Sequence, residues 1–145
     1  MAPHRGHCQG FTLMEMMIGI VLIGILTIVA VPNIERFSSG YKLRGAAREV
    51  ATDLQYAKMM AIKENQSFQV FFGTQSYQVK RGTGGGAVTV KSRSLAMDYP
   101  NVTIDATANP TFSSRGLCNG ATINLNLGAS TKTITVAFTG RIKLS

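Results

Sequence analysis

The sequence predicts an α+β protein in which one long N-terminal helix packs on a C-terminal antiparallel β-domain. Three observations carry this reading. Residues 11–34 are an apolar run of membrane-spanning length, residues 35–64 carry an apolar stripe at helical spacing, and from residue 65 the chain turns into short alternating segments separated by turn residues. A chain of 145 residues accommodates one ordinary domain with an extension at one end.

The run "GFTLMEMMIGIVLIGILTIVAVPNI" spans Gly10 to Ile34 and has a single acid, Glu15. From Met16 to Val31 there is no charge, and only Gly19, Gly24 and Thr27 interrupt the aliphatic texture. As a helix rising about 1.5 Å per residue, the run reaches roughly 36 Å, enough for a hydrocarbon core of about 30 Å. A soluble helix of that length would need a polar face, and none is present. The alternative is a discarded secretory signal, but the run is longer than a usual signal core and no small-x-small cleavage pattern follows it. Pro32 falls where the helix would be kinked rather than ended, because the stripe Ile34, Phe37, Tyr41, Leu43, Ala47, Val50, Leu54, Ala57 and Ala61 continues beyond it. One helix from about Thr12 to about Lys63 is therefore expected, stopping at Glu64-Asn65-Gln66.

The segments 67–72, 76–81, 87–92, 121–127 and 132–138 alternate in period two and read as strands. Gly73-Thr74-Gln75, Gly82 to Gly86, Asn119-Gly120 and Gly128-Ala129-Ser130 supply the turns between them. Spacing this short implies hairpins in a meandering sheet that buries one face on the helix. "GTGGG" at Gly82 to Gly86 lacks the lysine and following helix of a phosphate loop, so it reads as a hairpin loop. Asn65-Gln66-Ser67 and Asn101-Val102-Thr103 fit the glycosylation pattern only at the level of chance.

Residue usage argues against an enzyme. His4, His7 and Cys8 all precede the apolar run, so a chain trimmed there keeps Cys118 and no histidine. That removes the usual base of a nucleophile triad and most transition-metal ligands, so no cofactor or metal is expected. Asp98 and Asp105, the acids of the strand region, have no evident partners for catalysis. Cys118 beside Asn119-Gly120 reads as a small packed residue near a turn. Fifteen basic residues against seven acidic make the chain cationic, with most of the excess after Asn65, which favours anionic partners without naming one.

The stretch from Gly10 through Pro32 closely resembles the N-terminus of type IV pilins and pseudopilins: Gly10 ends a polar leader, Phe11 follows, Glu15 comes fifth from the cut, and Pro32 lies further along. The helix-then-β arrangement, "FSSRG" at Phe112 to Gly116 and the ending "FTGRIKLS" resemble the GspH/FimT group of minor pilins and pseudopilins. The resemblance implies a cleaved leader (1–10), a transmembrane and filament-core helix (11–34), its amphipathic continuation (35–64) and a β-rich periplasmic domain (65–145). It also implies that a prepilin peptidase cuts between Gly10 and Phe11 and methylates the new amine of Phe11. An acid in hydrocarbon costs a few kcal/mol and calls for a partner. The resemblance supplies one for Glu15, the amine of Phe11 on a neighbouring subunit, although the chain's own amine lies one helical turn away. The plain alternative is an acid that snorkels to the interface.

Charge alone suggests the opposite topology, because only Arg5 precedes the run while Arg36, Lys42 and Arg44 follow it. The cleavage motif is the more specific signal, so the orientation with the leader inside and the β-domain in the periplasm is adopted. Expected partners are prepilin peptidase, other pilins or pseudopilins, inner-membrane lipid, and secreted cargo or double-stranded DNA. The DNA alternative arises because some FimT-like pilins carry a Gly-Arg-x-Arg stretch, and Gly140, Arg141, Ile142 and Lys143 resemble it with lysine in the last place. Lysine keeps the charge but loses the bidentate fork. Arg141 and Lys143 would share a face, Ile142 would point to the core, and Lys132 and Arg115 are candidates to extend the patch. The competing structural reading is an edge strand whose cations discourage pairing.

Overall fold

A computed structural model describes residues 11–145, with the side chains of 28–37 excepted. The expected leader 1–10, including Gly10 of the cleavage site, and the side chains of Pro32, Ile34 and Phe37 lie outside the described residues. The chain divides into two units, residues 1–37 and 38–145.

Helix α1 runs from Leu13 to Lys63, close to the expected limits. Its N-terminus is set by Thr12, whose Oγ1 accepts the Glu15 N–H at 3.2 Å. In the first unit the large apolar side chains from Phe11 to Leu26 are exposed around the helix. Thr27 donates its hydroxyl to the Ile23 carbonyl at 2.7 Å, so this hydroxyl within the apolar run is satisfied inside the helix. Among the described residues no helix is long and apolar enough to cross a membrane; the end of the 11–34 run lies among the residues whose side chains are not described.

In the second unit, α1 buries Leu43, Ala46, Ala47, Val50, Leu54, Ala57 and Ala61. The four alanines let the helix backbone approach the strands closely. Tyr41, expected on this stripe, is exposed, whereas Ala46 joins it unforeseen. The buried stripe begins at Leu43, and Tyr41 lies before it.

The strands are β1 (Phe68–Phe72), β2 (Ser76–Arg81), β3 (Val88–Ser94), β4 (Thr103–Ala106), β5 (Thr111–Phe112), β6 (Ala121–Leu127), β7 (Ser130–Val136) and β8 (Ile142–Leu144), with a short helix α2 (Leu95–Asp98) after β3. They form two four-stranded antiparallel sheets in the orders β3-β2-β1-β5 and β4-β6-β7-β8, in place of the expected single meander. One core joins both sheets to the helix, with Phe68, Val70, Tyr77 and Val79 from the first sheet and Ile104, Ile123, Leu125, Ile134 and Val136 from the second. The glycine loop between β2 and β3 closes as a single 3-10 turn, Gly84–Gly86.

Candidate functional site

Two regions carry the sequence-predicted site residues. At the N-terminus, Phe11 and Glu15 are exposed, and Glu15 stands three residues after the capping Thr12. "TLME" is thus also a capping-box pattern, a helix-start signal that the apolar run overshadows. A carboxylate in the first turn additionally complements the positive end of the helix dipole.

The second region is built where three segments meet. The β7–β8 turn closes through the Gly140 N–H donating to the Ala137 carbonyl at 2.8 Å and the Ala137 N–H donating to the Arg141 carbonyl at 2.9 Å. The 113–117 loop closes through Gly116 N–H to the Ser113 carbonyl at 2.8 Å. These turns interlock: Gly140 has φ +70°, and a Cβ placed on it would sit 2.0 Å from the Gly116 carbonyl oxygen. No side chain fits there, so Gly140 is an architectural requirement whatever Arg141 binds. From α1, the Lys58 ammonium donates to the Gly140 carbonyl at 2.9 Å and locks the turn to the helix.

This interlock brings Arg115 and Arg141, 26 residues apart in sequence, into adjoining turns, both exposed. Ile142 packs against the core while Lys143 stands exposed opposite Thr135, as the alternation of the strand requires. Lys132 is placed differently. It pairs with Leu125 and shares the pleat face of Ile134, whereas Lys143 shares the face of Thr135, so Lys132 does not extend the Arg141–Lys143 surface. Lys58 was not foreseen. Its signal is a lysine four residues after Leu54 and three before Ala61, interrupting an otherwise apolar face.

A groove of about 430 Å³ opens beside this interlock, lined by Gln55, Lys58, Met59, Gly140, Arg141 and Ile142.

The sequence also conceals an ionic cluster built around one buried acid. Asp53 is only 3% exposed and accepts hydrogen bonds from the Tyr77 hydroxyl at 2.8 Å and from the Lys91 ammonium. The Arg93 Nε lies 3.3 Å from Glu49 Oε1 and 3.9 Å from Asp53 Oδ2. The cluster ties the edge strand β3 to the helix. Burial, and then the bond to Asp53, push the Tyr77 hydroxyl well above its ordinary range. Burial likewise pushes the Cys118 thiol above its ordinary range.

Residues 46–140 match the family described as Type II transport protein GspH, and residues 5–31 match the prokaryotic N-terminal methylation motif. No curated protein matches the chain. Solved structures of minor pilins and pseudopilins share its fold. The type IV minor pilin FimU of Pseudomonas aeruginosa is 16% identical with a TM-score of 0.63, over 75% of this chain and 92% of that one. The minor pseudopilin EpsH from the Type 2 Secretion System of Vibrio cholerae is 15% identical with a TM-score of 0.62, over 72% of this chain and 96% of that one.

Proposed function

Because the chain belongs to the GspH family, a family of minor pilins and pseudopilins, we propose that it is a non-catalytic subunit of an inner-membrane-anchored filament, matured by cleavage between Gly10 and Phe11. One observation carries this reading: among the described residues, the first part of α1 exposes large apolar side chains from Phe11 to Leu26 all round the helix, while the second part sets one face into the core of the β-rich unit. A helix apolar on all sides needs lipid or other helices around it. Lipid before assembly and neighbouring subunits afterwards meet that need in turn.

Within this reading, removal of the leader creates a free amine at Phe11, and methylation leaves it cationic. Glu15 then has a counter-ion that offsets the cost of taking its carboxylate into an apolar surround. Pairing with the amine of the subunit ahead fixes the axial register of the entering helix. The β-rich unit faces the periplasm and supplies the recognition surfaces. The test is the fate of Gly10→Glu in cells: the chain should remain at its full, unprocessed length in the membrane fraction and be missing from sheared filaments. Normal maturation of that variant would contradict the assigned cleavage site.

A second reading, DNA binding for uptake, is favoured by the exposed Arg141 just before the edge strand β8, by Lys143 on it and by Arg115 in the adjoining turn. Phosphate contacts of this type are independent of sequence and weaken steeply with salt. Detergent-solubilised mature chain titrated with double-stranded DNA should lose affinity between low and physiological salt, and Arg141→Ala with Lys143→Ala should abolish binding. Binding unchanged in the double variant would exclude this strand as the DNA site.

A further inference from the structure

Beside the interlocked turns, Met59 is 63% exposed, Ile62 51% and Leu117 51%. They are contiguous: Met59 lines the groove with Arg141, and Ile62 reaches to 3.1 Å from the position of a Cβ on Gly116, the residue before Leu117. Flanking them are Arg115 and Arg141, which form no ion pair among the described residues. We propose that this surface docks a different filament subunit of net negative charge, one that sets an apolar side chain into the groove and carboxylates against Arg115 and Arg141. The proposal rests on the filament reading above and names the kind of neighbour that the β-rich unit takes.

Three features select that occupant. The chain has seven acids, and Glu49, Asp53 and Glu64 are already engaged with its own Arg93, Lys91 and Arg81. A second copy therefore offers little negative surface, and the complement must come from a different chain. A nucleic acid backbone would use the arginines but would leave the exposed Met, Ile and Leu side chains against phosphate and solvent. A bilayer would accept both classes of side chain but has no use for a groove. Two arginines held on interlocked turns, the one bearing Arg141 pinned by Lys58, present planar donor forks suited to carboxylates. An apolar centre with a charged rim is the ordinary anatomy of a protein interface.

The test places a photo-crosslinking amino acid at Met59 and, separately, at Leu117 of the full chain in cells, with Met97, exposed on α2, as control position. The expected result is an adduct with one other filament subunit of net negative charge from positions 59 and 117 and none from 97. Arg115→Glu with Arg141→Glu should reduce it by roughly tenfold or more, as charge reversal opposes encounter, with protein level and N-terminal processing unchanged. Self-adducts, nuclease-sensitive adducts, lipid-only labelling, or no adduct from a processed chain would overturn the docking proposal alone. A chain never processed at Gly10 would overturn the filament reading and this proposal with it.

Discussion

Gly140 is the residue on which the C-terminal surface turns, because its position has neither the φ nor the space for a side chain. Gly140→Ala should destabilise the β-rich unit by roughly 2–4 kcal/mol, combining left-handed strain with a backbone clash. Gly128→Ala, at φ +59° with open space around it, should cost only about 1 kcal/mol. Thermal unfolding of the two variants side by side checks the contrast, and equal costs would contradict the interlock. Tyr77 gives a second residue-scale expectation. Its hydroxyl is held protonated in the fold above the ordinary value of about 10, so the unfolded chain releases that proton first. Tyr77 therefore contributes full stability below about pH 10 and loses it as pH rises beyond, by up to about 1.4 kcal/mol per pH unit. Tyr77→Phe should unfold more easily at neutral pH by about 1 kcal/mol, through the donor lost to Asp53, but fall less steeply in alkali. Denaturant midpoints at pH 8 and pH 11 measure both.

At the scale of elements, what was legible followed from local periodicity. The limits of α1 and the strands β1, β2, β3, β6 and β7 came out within a few residues, because alternation and the apolar stripe are properties of neighbouring residues. β4 and β5 are too short to show a period, and their places are set by pairing with β6 and β1. The division into two sheets is equally invisible, since alternation specifies faces and not partners. Asp53 does not fall on the helix's apolar stripe, yet it is buried, because Tyr77 and Lys91 arrive from β2 and β3, 24 and 38 residues later. Of the candidate site, the adjoining of Arg115 and Arg141 depends on the Gly116–Gly140 contact, which no spacing rule contains. The start of α1 yields the element-scale test. Thr12 already caps Glu15, so a helix-start role for the Glu15 side chain would survive in Glu15→Gln, whereas a charge pair with the Phe11 amine would not. Both Glu15→Gln and Glu15→Val should therefore be processed normally and yet be depleted roughly tenfold or more from sheared filaments, as expected when a desolvated ion pair loses one partner. Rescue by Gln would reassign Glu15 to capping.

For the whole molecule, the two units have opposite requirements. Residues 38–145 close their own core around α1 and both sheets, while the described apolar side chains of the preceding helix, Phe11 to Leu26, stand exposed. A water-soluble monomer would leave that apolar surface exposed at a cost of about 25 cal/mol per Å². A subunit passed from membrane to filament keeps it covered throughout, and removal of the leader is the step that commits the chain to that course. The most direct measurement is therefore the N-terminal sequence and intact mass of the chain recovered from cell envelopes. The expected species begins at an N-methylated Phe11. A chain beginning at Met1, or one cut beyond the apolar run after Ile34, would contradict the filament-subunit reading.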